Sequence, residues 1–590
     1  MAPVKSGNKG TMLLLTDQPL EPADTNNSGG DGCASGSVST PDDQQNTNSQ
    51  AGLEIIETTA KTWTRPWIVA TYILICIVFF TDSLQQQMAA SLLPYVTSSF
   101  GFHGLLATTS IIAVIIAGVS KPPLARILDV TGRNQGLIIM LVITVISLIV
   151  MATCGGIQAF AAAQVFYWTG INGIGYVLSI FIADTTTLRN RMILFGLTTT
   201  PYIPNTFAGP AAAQAFLEGS TWRWSYGAFS VIIPIICAPV IAVFAFHSRK
   251  AKSLGLISDR GPEERRTMWQ KVMYWVVELD LVGVLLCAAG LSLTLMPLSL
   301  ANYQVDKWRS QSVISMLVIG VLCLVAVLLY EKYAASQTFI PFALLKNRNV
   351  LVACLMSGNI WISFFCSKLF FSSYLQVVYN VSVSEAGYIG NIFSVVICTW
   401  AVPVGLLMRW SDRFRWLALV SVPIWILFTG LMLKFRMPGT KIGYIIMCEV
   451  FTSLSGGTLI QVQQIAAMSA VQHHEVALSL ALVSLSAAVG GAVGQSISGA
   501  IWTNTLPGKL KELLPDELKA EWPVIYGDLN VQLEYEWGSP VREAVARAYG
   551  ETQKSMLLAA LLSSVGSLVW VSMMRNERLS DKQHTKGTLL

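Results

Sequence analysis

Asp82, Gln85 and Gln86 pose the hardest chemical question in the chain, because they stand inside and beside one long apolar run, 67–93. A carboxylate near the middle of a lipid-spanning helix costs about 2.5–3.5 kcal/mol on insertion scales, so it is retained where it has a task. At 100° per residue, Gln85 and Gln86 fall about 60° and 40° either side of Asp82, while Gln87 points well away. The three share one face. Such a face can line a watery chamber and bind a polar solute, and its carboxyl can load a proton on one side and release it on the other. The plain alternative is a hydrogen bond that only holds two helices together.

Other polar groups inside apolar runs extend the set. Glu449 is a second proton-coupling candidate, and Lys368 can pair with it or snorkel toward a surface. Gln461 and Gln464, three residues apart, share a face and offer hydrogen bonds to a substrate, with Gln463 on another face. Trp168, Tyr176, Tyr202, Tyr374 and Trp400 supply candidate aromatic walls for the same cavity. No nucleophile–base pair, phosphate loop or metal cluster can be assembled, which argues against an enzyme. The ten cysteines sit singly, all but Cys33 inside apolar runs, and no pair has metal spacing.

The elements that must position these residues are membrane helices. Of 590 residues, 53% are hydrophobic and only 12% charged, about half the charged share of a soluble chain, and the mean hydropathy is +0.55. The modest net charge of +5 has no clustered basic face, so nucleic acid is not a partner. About 20 apolar residues cross the hydrocarbon core as a helix. Runs of that length predict fourteen spans, at 67–93, 104–124, 135–154, 157–182, 192–217, 226–247, 276–300, 311–331, 350–377, 384–408, 415–434, 441–468, 477–502 and 555–574. The fold class is an all-α integral membrane protein.

Lys and Arg set the sides. The loop after span 6 holds seven of them, and the loops after spans 2, 4 and 10 add Lys121, Arg126, Arg133, Arg189, Arg191, Arg409, Arg413 and Arg415. All lie on the side of Lys61 and Arg65, so both termini are predicted cytoplasmic. Asn380 of the sequon Asn380-Val381-Ser382 is then external and a glycosylation candidate. Residues 1–65 lack apolar periodicity and read as a disordered cytoplasmic tail. The parts in order are that tail, a six-helix bundle (66–247), a basic loop (248–275), an inserted helix pair (276–331), a second six-helix bundle (349–575) and a short cytoplasmic tail (576–590). The second bundle includes an external loop, 503–554. In that loop Ser539-Pro540 predicts a helix start, Val541, Ala544, Val545 and Ala548 share a face, and Gly550 predicts its stop.

Two segments repeat: ARILDVTGRNQ (125–135) after span 2 and GLLMRWSDRFRW (405–416) after span 10. Each puts an aspartate, Asp129 or Asp412, just past a helix end. Eight spans separate them, so a duplicated six-helix unit carries two extra helices; duplication is how transporters build a central site. Here the chain resembles the major facilitator superfamily, through Asp129, Gly132 and Arg133 of its loop signature and through AGPAAA (208–213) in span 5. The resemblance implies a cytoplasmic gate formed by Asp129, Arg133, Asp184, Asp412 and Arg413. Phe166 stands where many proton antiporters have an arginine four residues before a glycine, here Gly170, which counts against a drug exporter.

A more specific resemblance is to the fungal siderophore–iron transporter family. It rests on DTTTLRNR (184–191), YLQVVYNVSVSEAGYIGNI (374–392), QVQQIAAMSAVQHHEVALSLAL (461–482), GGAVGQSISGAIWTNTLP (490–507) and SPVREAVARAYGE (539–551). Within it the pattern is most similar to MirB-type transporters, which import ferric triacetylfusarinine C. The resemblance implies a monomer in the plasma membrane, or in endosomal vesicles, that imports a ferric hydroxamate siderophore with protons. Iron then travels as the siderophore complex and needs no ligands or cofactor from the protein. A fourteen-span drug/proton antiporter and a non-transporting membrane receptor remain the alternatives.

Overall fold

The computed structural model describes residues 63–100, 106–185, 198–253, 273–335, 342–471 and 476–578, apart from short gaps at 122, 125–126, 128–131, 274–275, 278, 302–303 and 305. The N-terminal tail up to residue 62, Asp129 and most of the basic loop fall outside the described residues. Each predicted span falls on helix. In order these are Arg65–Ser99, Leu106–Val119, Arg133–Thr153, Ile157–Thr185, Tyr202–Gly219, Trp222–Ser253, Leu281–Leu300 and Gln311–Tyr333. Span 9 is two helices, Arg348–Lys368 and Phe371–Tyr379, and span 10 is also two, Val383–Gly390 and Ile392–Ser411. Arg415–Phe435, Ile442–Ser469, Val476–Leu513 and Pro540–Met573 complete the set. Among the described residues, twelve helices are long and apolar enough to cross a membrane; spans 2 and 5 are the shorter remainder.

The packing repeats. Span 1 packs on spans 5 and 6, span 4 on spans 2 and 3, and span 3 on span 6. Eight spans on, span 9 packs on spans 13 and 14, span 12 on spans 10 and 11, and span 11 on span 14. One apolar cluster is drawn wholly from residues 68–244 and another from 344–574. Spans 7 and 8 pack together and lean on spans 2 and 13, sharing a cluster of Ile111, Ile115, Cys287, Val327 and Leu485. Contacts between the first six spans and the last six run through spans 2 and 13, and through spans 5 and 10. Below, the near end is the end at which span 1 begins, and the far end is the opposite one.

Local sequence explains two of the awkward places. Asp280, an acid at the mouth of span 7, is its N-cap: it adopts a left-handed backbone (φ 45°) and its Oδ1 accepts from Gly283 N at 3.2 Å. Ser539 caps span 14 as the Ser-Pro pair predicts, accepting from Arg542 N at 3.2 Å. The predicted stop at Gly550 is corrected, because Pro540–Met573 is one continuous helix. Gly550 is there for proximity: a Cβ on it would lie 2.6 Å from Pro438. Neighbour packing outweighs the roughly 1 kcal/mol that a mid-helix glycine costs. The rest of the 503–554 segment folds at the far end as short helices, Asp516–Glu521, Trp522–Gly527 and Leu529–Glu534. Ile525 and Leu529 sit there in a buried cluster with Phe370, Tyr374, Trp502 and Tyr549.

Candidate functional site

Span 1 does group its polar side chains, and it turns them into the first bundle. Asp82 is 7% exposed and borders a cavity of about 10 Å³ shared with Val78 and Thr81 of its own helix, Ile171 and Ile174 of span 4, and Ile233, Ile236 and Cys237 of span 6. That space suits about one water. Gln86 Nε2 donates to Asp82 Oδ1 at 3.0 Å, and Gln86 Oε1 accepts from Tyr202 Oη at 3.2 Å. Gln85 is fully buried and accepts from Tyr167 Oη of span 4. Asn205 of span 5 donates to Phe80 O at 2.7 Å and Ser83 Oγ at 2.6 Å. Buried polar groups settle where partners await them, and here spans 4 and 5 supply those partners.

The opposite face of the same helix is the open one. Val69, Ile73, Ile77 and Phe80 are exposed and, with Tyr72, Cys76 and Pro201, line an almost wholly apolar groove of about 530 Å³. At 100° per residue they lie about 140–220° round the helix from Asp82. The apolar groove thus lies on the near-end half of span 1, on the face opposite Asp82, Gln85 and Gln86.

The second half holds a charged cluster. Glu449, 1% exposed, takes Lys368 Nζ on Oε2 and Arg436 Nη2 on Oε1, the latter at 3.0 Å. Arg436 is fully buried; its Nη1 also donates to Ser367 O at 2.6 Å and to Gln553 Oε1 at 3.2 Å. Its guanidinium lies 4.1 Å from the Phe371 ring centre, and Lys368 Nζ 4.8 Å from it. Two cations thus face one carboxylate out of water. Lys368 and Glu449 were legible as intramembrane charges; Arg436 was not, because it stands one residue past span 11, where arginines ordinarily mark an interface.

The remaining candidates divide. Trp400 Nε1 donates to Thr458 Oγ1 at 3.0 Å, and Gln461 and Gln464 are half-buried one turn further along span 12 while Gln463 is buried. Trp168, Tyr176 and Tyr202 are half-buried in the first bundle. Tyr374 offers no wall: it is fully buried in the far-end cluster. Of the gate residues, Arg133 begins span 3, Asp184 lies in span 4, and Asp412, left-handed at φ 53°, ends span 10 beside Arg413. Asn380 is exposed at the left-handed end of Phe371–Tyr379. Among the described residues no three His, Cys, Asp or Glu side chains gather as a metal site.

At the far end the halves meet tightly. Tyr95 Oη of span 1 donates to Gln376 Oε1 of span 9 at 2.5 Å. Leu529 N of the far-end segment donates to Ser98 Oγ at 3.2 Å. A Cβ on Gly387 of span 10 would come within 2.5 Å of Pro210, which gives the AGPAAA stretch its physical role of close approach. Phe207 and Tyr388 pair at 5.4 Å between ring centres.

Comparison with known proteins agrees with this architecture. The family described as the fungal trichothecene efflux pump (TRI12) matches residues 34–523. Curated relatives include MFS siderochrome iron transporter 1 of Ajellomyces capsulatus, 46% identical over 93% of this chain and 93% of that protein. MFS siderochrome iron transporter D of Aspergillus fumigatus is 42% identical over 92% and 90%. The siderophore iron transporter mirB of Emericella nidulans is 39% identical over 91% and 89%. Among solved structures, a bacterial homologue of the human lysosomal transporter Spinster, in an inward-facing and occupied conformation, superposes with a TM-score of 0.51 at 14% identity, covering 88% of this chain and 99% of that one. The peptide transporter POT in complex with sulfate gives 0.51 and 14%, over 85% and 95%. At such identities the likeness speaks for the all-helical transporter fold.

Proposed function

Because the chain belongs to the fungal siderophore–iron transporter family of the major facilitator superfamily, we propose that it imports a ferric hydroxamate siderophore by alternating access, driven by protons. The observation that carries this reading is identity of 39–46% to siderophore and siderochrome iron transporters over about nine-tenths of both chains. The chemistry is compatible. Three deprotonated hydroxamates neutralise Fe(III), so the cargo brings no net charge from its iron centre. It calls for a roomy, mostly apolar path with a few amide or hydroxyl donors. The apolar groove on span 1 suits one side of that path, and Trp400, Gln461 and Gln464 suit the other. Identity to mirB does not exceed that to the other two relatives, so triacetylfusarinine C is one candidate cargo among ferric hydroxamates.

The near end is the cytoplasmic side in this reading, because the Lys- and Arg-rich loops lie there. The far end is external, carrying Asn380 as a glycosylation site in a monomer of the plasma membrane. A closed far end together with a groove on the near-end half of span 1 corresponds to an inward-open state. Asp129, Arg133, Asp184, Asp412 and Arg413 would then lock the cytoplasmic ends together in the opposite state. Of the two embedded carboxylates, Glu449 suits proton coupling better than Asp82. It sits among charges that must rearrange when it is neutralised, whereas Asp82 is shut into a one-water space inside its own bundle.

Export is the second reading, favoured by the efflux-pump description of the matching family. Uptake of radiolabelled iron as a ferric hydroxamate, into cells lacking their own siderophore carriers, separates the two. Import predicts accumulation that rises with external acidity. Loss of preloaded complex with no accumulation establishes export, and binding with neither flux establishes a receptor.

A further inference from the structure

Span 9 breaks toward its far end, after 21 residues of continuous helix, with neither proline nor glycine at the break. Helix Arg348–Lys368 ends, Leu369 and Phe370 form a turn, and Phe371–Tyr379 continues toward the far end. A carbonyl freed at such a break needs another donor. Here Arg436 Nη1 donates to Ser367 O, while Phe365 O keeps Leu369 N and takes a second bond from Ser498 Oγ at 3.1 Å. The short outer helix is held at both ends. At its start Arg436 and Lys368 lie over Phe371. At its finish the buried Arg542 donates to Gln376 O at 3.0 Å and to Val377 O at 2.9 Å. Tyr95 of the first half reaches the Gln376 side chain across the gap between the bundles.

We propose that Phe371–Tyr379 is the moving external gate of the transport path, and that Arg436 is the positioning residue that ties its hinge to the charge on Glu449. The proposal rests on the proton-driven import reading and names the part that protonation moves. With Glu449 ionised, one carboxylate holds Lys368 and Arg436 together, and Arg436 at the same time holds the Ser367 carbonyl at the hinge. A proton arriving on Glu449 removes the one anion that, among the described residues, lies between two adjacent buried cations. Their mutual repulsion in a low-dielectric setting then outweighs the remaining contacts. The cluster must spread, Arg436 leaves Ser367 or Phe371, and the outer helix is free to swing from Tyr95. The groups that face Glu449 from its neighbours are few. Span 9 brings Lys368 and span 11 brings Arg436, while span 14 brings the neutral Gln553. Spans 10 and 13 carry no acidic or basic residue over 392–408 and 478–508. Tyr374, Tyr379 and Cys448 are other titratable neighbours of the cluster among the described residues.

The test reads gate position and flux in the same cells. Gln376→Cys is labelled from outside by a membrane-impermeant maleimide, alone and combined with Glu449→Gln, Arg436→Lys or Arg436→Gln, with surface amounts measured in parallel. With the parent glutamate, labelling is expected to rise several-fold from neutral to acidic medium. With Glu449→Gln it is expected to be high and independent of pH. Arg436→Lys keeps a reduced pH response, and Arg436→Gln loses it. A bifunctional thiol reagent bridging Tyr95→Cys and Gln376→Cys is expected to abolish the uptake that the same double variant shows before bridging. If Glu449→Gln labels with the parent's pH response, or the bridged protein still transports, the inference is overturned. If instead the parent takes up no ferric hydroxamate while its labelling still follows pH, the import reading fails and the gate stands.

Discussion

Spans 1 and 9 hold corresponding places in the repeated packing, yet they use polar residues in opposite ways. Span 1 runs unbroken from Arg65 to Ser99 and ties Asp82, Gln85 and Gln86 to tyrosines of its own bundle through neutral donors. Span 9 breaks after Lys368, and its break is braced by an arginine that also serves a carboxylate. Asp82 has no cationic partner among the described residues, whereas Glu449 has two. A neutral network tolerates a change of protonation with little rearrangement; a charge cluster with one anion and two cations does not. The lesson is that the two halves share a scaffold, while the second sets a cluster of one carboxylate and two cations beside the break in its first helix.

The comparison breaks most easily on stability. Arg436→Ala leaves Glu449 with Lys368 alone and removes the donor to the Ser367 carbonyl and Gln553, a loss of about 2–4 kcal/mol from packing and buried hydrogen bonds. Asp82→Asn keeps a hydrogen-bonding group beside Gln86 and should cost about 1 kcal/mol or less. Melting temperatures of the purified variants in detergent check this; equal shifts would erase the difference drawn between the halves. A smaller effect sharpens the assignment of faces. Ile73→Gln, on the open side of span 1, should weaken uptake several-fold by raising the half-saturating concentration while surface amounts hold. Unchanged uptake would assign that groove to lipid.

Much of the scaffold was legible in the residues. Fourteen apolar runs each land on helix, Ser539 caps where a serine before proline should, and the spacing of Asp82 and Gln86 does bring them together. The rotation of span 1 about its axis was not legible. It is set by Tyr167 and Tyr202, some eighty and one hundred and twenty residues away in sequence, and by an apolar face that looks the same whether it meets lipid or cargo. The break in span 9 was hidden for a similar reason: Leu369 and Phe370 carry no local signal, and the cause lies with Arg436 on another helix. Gly550 misled because glycine ends helices and also lets helices touch.

The most direct measurement is accumulation of radiolabelled ferric hydroxamate by vesicles holding purified protein, with the external face made acidic relative to the lumen. The account predicts that the parent and Asp82→Asn concentrate the complex against its gradient, while Glu449→Gln only equilibrates it. Concentrative uptake by Glu449→Gln, or its loss in Asp82→Asn alone, would contradict the account.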